Sequence, residues 1–185
     1  MKRKAKIPLT VIRTGTGDTG KTYFNDKTVW KCNRYIDFLA YIEYLNVSIG
    51  ALHKYPGIQS ALFSIGAMLH SNDPDKIIEH SDILKYWIDE MEDHIYFNPV
   101  ELEGFVIPDS NSLEHNPRAI ARICEVKAAK LLKKAKKNAF EPADYFKEEL
   151  TLKFLNVLSD YFFIRAIKNG GEKLIWLGAG NIKAV

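Results

Sequence analysis

Ile58 to Leu69 reads IQSALFSIGAML, a run in which apolar side chains fall on nearly every side of a helix. Such a helix has no broad solvated face, so it belongs near the centre of a helical fold. Pro56-Gly57 separates it from the segment before it. That preceding segment, Asn33 to Lys54, has helical periodicity, with Ile36, Leu39, Ala40, Glu43, Val47 and Gly50 along one stripe. After the break SNDP, Asp75 to Phe97 is amphipathic, and Ile78, Leu84, Trp87, Ile88, Met91 and Ile95 form its expected buried side.

Further out, Asn98 to Asn116 contains Pro99, Gly104 and Pro108 and reads as a structured loop, long enough to suggest function. Asn116-Pro117 supplies a cap and first turn for a fourth helix ending near Asn138. Its last turns hold Lys133, Lys134, Lys136 and Lys137, which read as solvated cations complementing the helix dipole, with a binding patch as the alternative. A fifth helix starts at Glu141-Pro142 and runs through Phe146, Leu150, Phe154, Leu158, Phe162 and Ile164 to Lys168, where Asn169-Gly170-Gly171 stops it. Met1 to Lys31 reads as a non-helical arm and loop, and the tail GEKLIWLGAGNIKAV as a strand or ordered coil. The expected fold is all-α, a five-helix bundle of ferritin-like up-down topology. One domain is expected over residues 1–185, with a loop at 11–31, the bundle at 33–168 and a tail at 169–185.

The 185 residues are 46% apolar, which suits a packed core and excludes intrinsic disorder. A formal charge of +3 is too mild to indicate nucleic-acid binding. Cys32 and Cys124 have neither a CxxC partner nor zinc-like spacing, so no disulfide framework or metal ribbon is favoured. The basic N-terminus lacks a signal peptide's apolar stretch, and no run suits a membrane span. A cytoplasmic protein is expected, with neither membrane nor nucleic acid as partner.

Gly15-Thr16-Gly17-Asp18-Thr19-Gly20-Lys21-Thr22 satisfies the phosphate-loop pattern GxxxxGK followed by Thr. In a true phosphate loop, glycines let backbone N–H groups approach phosphates, Lys21 would reach the β/γ oxygens and Thr22 would ligate Mg²⁺. The surroundings argue against it, because YFNDKT after the motif has no helical stripe and no parallel-strand pattern follows. A chance Gly/Thr loop and a different ATP-binding loop are the other readings.

Five segments in order favour the last. TGDTG at Thr16–Gly20 resembles the TGDxG loop of PduO-type ATP:cob(I)alamin adenosyltransferases. LNVSIG at Leu45–Gly50 resembles the end of that family's GTxDELNxxIG helix, and IQSALFSIGAML resembles its IQxxLFxIGAxL helix. GFVIPDSNS from Gly104 resembles the FxLPGGS loop, and FLNVLSDYFF from Phe154 resembles the YLNRLSDxLF helix. His115, Arg118, Arg122 and Glu125 occupy the matching positions of HxxRxxCRRAE. Spacing independently puts Arg118, Arg122 and Glu125 on one helical face, which could also be a solvated, salt-bridged surface.

The resemblance implies transfer of the 5′-deoxyadenosyl group of ATP to Co(I) of reduced corrinoid, releasing triphosphate. It implies catalytic roles for Arg118, Arg122 and Glu125, with Mg²⁺ on the ATP phosphates and Glu125 as its possible protein ligand. The implied ATP contacts are Thr14, Gly15, Thr16, Gly17, Asp18, Gly20, Lys21, Thr22, Lys31, Arg122, Glu125 and Asn156. Phe105 matches the residue that meets the corrinoid, and otherwise reads as a loop anchor. Glu43, where the family has Asp, is expected to pair with Arg118 or Arg122, and Asp160 to orient an arginine. Asn156, Ser159 and Asp160 are expected on one side of the last helix. Family members are homotrimers with ATP between subunits. Gly15 replaces a family lysine, Ile123 an arginine and Asp109-Ser110-Asn111 the GGS run, so a non-catalytic corrinoid- or nucleotide-binding module is the alternative, ahead of a P-loop kinase or NTPase.

Overall fold

A computed structural model describes residues 15, 17–108, 112–139, 141, 145–170, 173–179 and 181–184. Thr14, Thr16, Asp109, Ser110, Asn111 and Pro142 lie outside the described residues. The chain begins with strands β1 (Lys21–Phe24) and β2 (Lys27–Trp30), followed by helices α1 (Arg34–Gly50), α2 (Pro56–His70) and α3 (Pro74–Tyr96). Strand β3 (Phe105–Ile107), helices α4 (His115–Asn138) and α5 (Phe146–Asn169), and strands β4 (Leu174–Gly178) and β5 (Asn181–Ala184) complete it.

The five expected helices are present, and the all-α expectation is corrected by two small antiparallel sheets. β1 and β2 form a hairpin, whose two-residue turn puts Asn25 and Asp26 at φ 46° and 58°. Both sit in the left-handed region that a tight hairpin demands, and Asn and Asp tolerate it better than most residues. β3, β4 and β5 form the other sheet, with Phe105 opposite Trp176 and Ile175 opposite Val106. Strands of three to five residues are too short for alternation to stand out in the sequence.

One apolar core joins all five helices through Phe38 and Leu45 of α1, Leu62 and Ile65 of α2, Leu84 and Ile88 of α3, Ala121 and Cys124 of α4, and Phe154, Leu158 and Phe162 of α5. The central position expected for α2 holds, since Ile58, Ala61, Leu62, Ile65, Met68 and Leu69 are all buried. Its first turn packs closely on α3: a Cβ at Gly57 would lie 2.1 Å from the Trp87 ring. α1 differs from expectation. Its buried side is Phe38, Ile42, Leu45 and Ile49, while Ala40, Glu43 and Val47 of the expected stripe are exposed. On α3, Leu84, Ile88 and Met91 are buried as expected, whereas Ile78 is exposed.

α1 and α4 run antiparallel. Asn116 at the start of α4 donates to Ser48 Oγ near the end of α1 (3.0 Å), and Lys127 farther along pairs with Asp37 near its start. Asn116 is therefore a bridge to α1, where the sequence suggested a cap; α4 begins at His115, preceded by Glu114 in helical conformation. α5 starts beside α1, where the Tyr35 hydroxyl donates to Glu148 at 2.6 Å. No helix among the described residues is long and apolar enough to cross a membrane.

Candidate functional site

The Gly-rich loop is shaped by the hairpin. β1 begins directly after Gly20, and pairing of Lys21 with Trp30 carries Lys31 back to the loop, where its N–H donates to the Gly20 carbonyl at 2.9 Å. The Lys31 side chain closes on the same turn, its Nζ 2.7 Å from where a Cβ at Gly17 would stand. Lys31 thus lies beside Gly17 and Gly20. Asp18 is exposed and its N–H donates to the Gly15 carbonyl, closing the turn. Lys21 instead lies over the Trp30 ring, 5.0 Å from its centroid. The phosphate-loop reading fails here, since the residues after Gly20 extend as a strand and offer no helix N-terminus to an anion.

Aromatic packing anchors this hairpin to the bundle. Phe24 stacks on Tyr35 of α1 and meets His70 of α2 edge-on at 4.3 Å, while the Asn25 amide donates to the Leu69 carbonyl. Thr22 and Lys31 line an open recess of about 390 Å³ shared with Tyr23, Ile36, Asp37, Ala40 and His70. No helical stripe announced the hairpin, but two β-branched and aromatic runs flanking Asn25-Asp26 were a usable signal.

The second set of residues lies on α4 and α5. Arg122 Nη1 is 3.2 Å from Glu125 Oε2, with Arg122 largely exposed and Glu125 mostly covered. That oxygen is closed to solvent and accepts no aligned hydrogen bond, so the contact is an ion pair without hydrogen-bond geometry. Arg118 lies 4.3 Å above the Phe163 ring of α5. Burial, followed by the charge of Arg122, lowers its pKa, while Asp160 acts in the opposite direction. Two guanidiniums and a carboxylate therefore share one face, as the i, i+4, i+7 spacing predicts.

Asn156 and Asp160 are exposed one turn apart on α5, but Ser159 is 2% exposed and turns into the core, so it leaves the expected polar set. Asp160 influences Arg118 without closing an ion pair. The expected pairing of Glu43 with Arg118 or Arg122 is not made within the chain. Glu43 instead borders an apolar groove between α1 and α2 with Leu39, Val47 and Phe63, on a different side of α1 from Asp37 and Ser48, which meet α4. Phe105 is 76% exposed beside Trp176, with ring centroids 5.9 Å apart, which removes the reading of it as a core anchor.

The loop set and the arginine set are not joined by any hydrogen bond or ion pair among the described residues. Helical geometry explains this. Lys127 faces α1 and the loop end, and Arg118, Arg122 and Glu125 lie roughly half a turn around α4 from it. Sequence reasoning missed Phe163, which bears the Arg118 guanidinium, and Glu114, whose role emerges only from contacts distant in sequence.

A metal site built by protein alone is absent from the described residues, where no group of three His, Cys, Asp or Glu converges. Cys32 is an exposed free thiol, and Cys124 is buried, which pushes its pKa up to about 12.

Comparisons with known proteins agree with this fold. A variant PduO-type ATP:corrinoid adenosyltransferase from Lactobacillus reuteri, complexed with cobalamin and ATP, superposes with TM-score 0.62 at 20% identity, covering 90% of this chain and 99% of that one. A second variant with the same ligands gives 0.62 at 21% identity, covering 94% and 99%. A third, complexed with ATP, gives 0.59 at 22% identity, covering 83% and 90%. No curated protein sequence matches the chain significantly. The family model for cobalamin adenosyltransferase matches residues 12–169, spanning the Gly-rich loop, the arginine face and the Asn156 helix, and the chain belongs to that family.

Proposed function

We propose that this protein transfers the 5′-deoxyadenosyl group of ATP to the Co(I) centre of a reduced corrinoid, giving an adenosylcorrinoid and triphosphate. The observation that carries the proposal is the convergence of Arg118, Arg122 and Glu125 beside Phe163 and Asp160, within a chain of this family. Co(I) supplies the electron pair that forms the Co–C bond. The C5′–O bond breaks, and its electrons leave with the triphosphate, so the protein need not provide a nucleophile.

The protein's work is to hold C5′ in line with cobalt and to meet the charge growing on the leaving group. Arg122 is exposed enough to exchange Glu125 for phosphate oxygens, and Arg118 is held by its stacking as a fixed positive charge. Lys31 and the Gly17–Gly20 backbone form the second phosphate-facing element, with Lys21 nearby. Asn156 faces outward for the nucleotide, and Phe105 offers an apolar ring to the corrinoid. Glu125 fits Mg²⁺, since its Oε2 is screened from water and short of an aligned donor. Glu125 would hold Mg²⁺ brought with ATP, and the chemistry supplied there would be neutralisation of phosphate charge.

The two phosphate-facing elements point apart within one chain, which supports an assembly, proposed as a homotrimer, in which the loop of one copy completes the arginine face of the next. In that assembly Glu43 is free to meet a neighbouring copy's arginine. The chain folds as one domain acting in the cytoplasm. Product analysis tests the reaction: anaerobic incubation with ATP and cob(I)alamin gives adenosylcobalamin and intact triphosphate in equal amounts. ADP and inorganic phosphate would instead indicate a kinase or NTPase, and ATP binding without turnover a binding module.

A further inference from the structure

We propose that Glu114 is a positioning residue, coupling the entry of α4 and the loop carrying Phe105 to the C-terminal end of α5. The inference rests on the adenosyl-transfer reading. Glu114 is 4% exposed. A carboxylate this deep is costly unless its oxygens are satisfied, and these are. Oε1 accepts from Asn169 Nδ2 at 2.6 Å and faces the Tyr55 hydroxyl at 3.4 Å, while Oε2 accepts from the Ser112 hydroxyl at 3.0 Å. Arg165 Nε donates in turn to the Tyr55 oxygen at 3.2 Å. One carboxylate therefore joins the residue before α2, the loop before α4 and the last turns of α5.

The consequence for the site follows from what lies next to this clamp. The Glu114 carbonyl accepts the Arg118 N–H at 3.2 Å, so the first catalytic arginine stands one turn from the clamp. Its guanidinium rests on Phe163 of the same helix that supplies Asn169 and Arg165. Midway along the same connection, β3 pairs with β4, which follows α5 in the chain. The segment between α3 and α4 is thus fastened at β3 and at Ser112–Glu114 to the chain around and beyond the end of α5. Sliding α4 by an ångström would move both arginines relative to Asn156 and Asp160, a displacement that can cost about 100-fold in rate.

A leucine at position 114 would fill much of this space without fixing its neighbours, whereas the carboxylate imposes direction on three segments. Glu114→Gln keeps an acceptor for Asn169 and gains a donor that the Ser112 oxygen can accept. Glu114→Leu and the milder Asn169→Ala remove the coupling in whole and in part. With the full-length protein, ATP and cob(I)alamin, assayed well below each melting temperature, the Gln variant should keep kcat within about threefold of the parent. The Leu variant should lose about 10- to 100-fold in kcat, with KM for ATP changed less than about threefold, because most ATP contacts lie elsewhere. Hydrogen exchange across residues 112–122 provides a readout free of activity, and should quicken in the Leu and Asn169→Ala variants while α2 stays protected. Parental kcat or unchanged exchange in a folded Leu variant would overturn the proposal. If Leu does not fold, the same two readouts on Asn169→Ala decide it, unchanged values again overturning it. If the parent itself makes no adenosylcobalamin, the reaction reading fails, and the exchange result alone then supports or overturns the coupling.

Discussion

The Gly-rich loop and the arginine face are built in different ways, although both are suited to phosphate. The loop is local: a hairpin of two four-residue strands returns Lys31 to Gly17 and Gly20, and its attachment to the bundle rests on Phe24, Asn25 and their few partners. The arginine face is non-local, with Arg118 and Arg122 standing on a helix whose position depends on Phe163, Asn116–Ser48 and the Glu114 cluster. A local element can adjust to a ligand or a neighbouring copy at small cost, whereas the non-local one is fixed before substrate arrives. Catalysis of a charge-separating step should therefore depend more on the second region.

The comparison predicts a graded set of effects. Arg122→Ala should lower kcat by about 100-fold or more while the melting temperature barely moves, because the side chain is largely exposed. An equal loss from Lys21→Ala would break the contrast, since Lys21 already engages Trp30. Phe105→Ala should weaken corrinoid use by about tenfold and leave KM for ATP unchanged, separating the corrinoid side from the phosphate side; a full kinetic matrix in both substrates reads this. Lys31→Ala should raise KM for ATP by roughly fivefold to tenfold with a smaller change in kcat, the signature of lost ground-state binding.

A smaller effect concerns pH. Burial pushes the Glu114 carboxyl up, but hydrogen bonds from Asn169, the backbone and Ser112, with the charge of Lys54, outweigh it and hold its pKa below the ordinary 4.5. Tyr55, Tyr161 and Arg165 also surround this group. A depressed folded-state pKa means the ionised cluster stabilises the fold fully above the unfolded value, and that this stability is lost as pH falls through the folded value. Melting temperatures of the parent and of Glu114→Gln should differ near neutrality and converge in acid. A gap that widens in acid would reverse the sign and the assignment.

Much of this was legible in the sequence. IQSALFSIGAML placed α2 at the centre because its apolar residues cover most of the helix, and the burial of Leu62 and Ile65 follows from that. The face of α1 was not legible, since Leu39 and Val47 on one side compete with Phe38, Ile42 and Leu45 on another. The first pair borders a groove left open within a single chain, so apolar character alone could not separate core from groove. Spacing was enough to converge Arg118, Arg122 and Glu125 because that relation is internal to one helix. It was not enough for Ser159, whose small side chain suits either an exposed or a buried site, nor for Glu114, whose partners lie at Tyr55 and Asn169. Contacts of that range have no periodic signature.

The central claim is that the two phosphate-facing regions of one chain serve different active sites and meet only across copies. Mixing tests it directly: Lys31→Ala and Arg122→Ala chains are co-expressed with distinct tags, the mixed assemblies are isolated, and adenosylcobalamin formation is measured at ATP well below the parental KM, where each variant is impaired alone. Because some interfaces in a mixed assembly join an intact loop to an intact arginine face, activity should recover well above that of either variant. If purified mixed assemblies stay no more active than the variants alone, loop and arginines act within one chain, and the account is wrong.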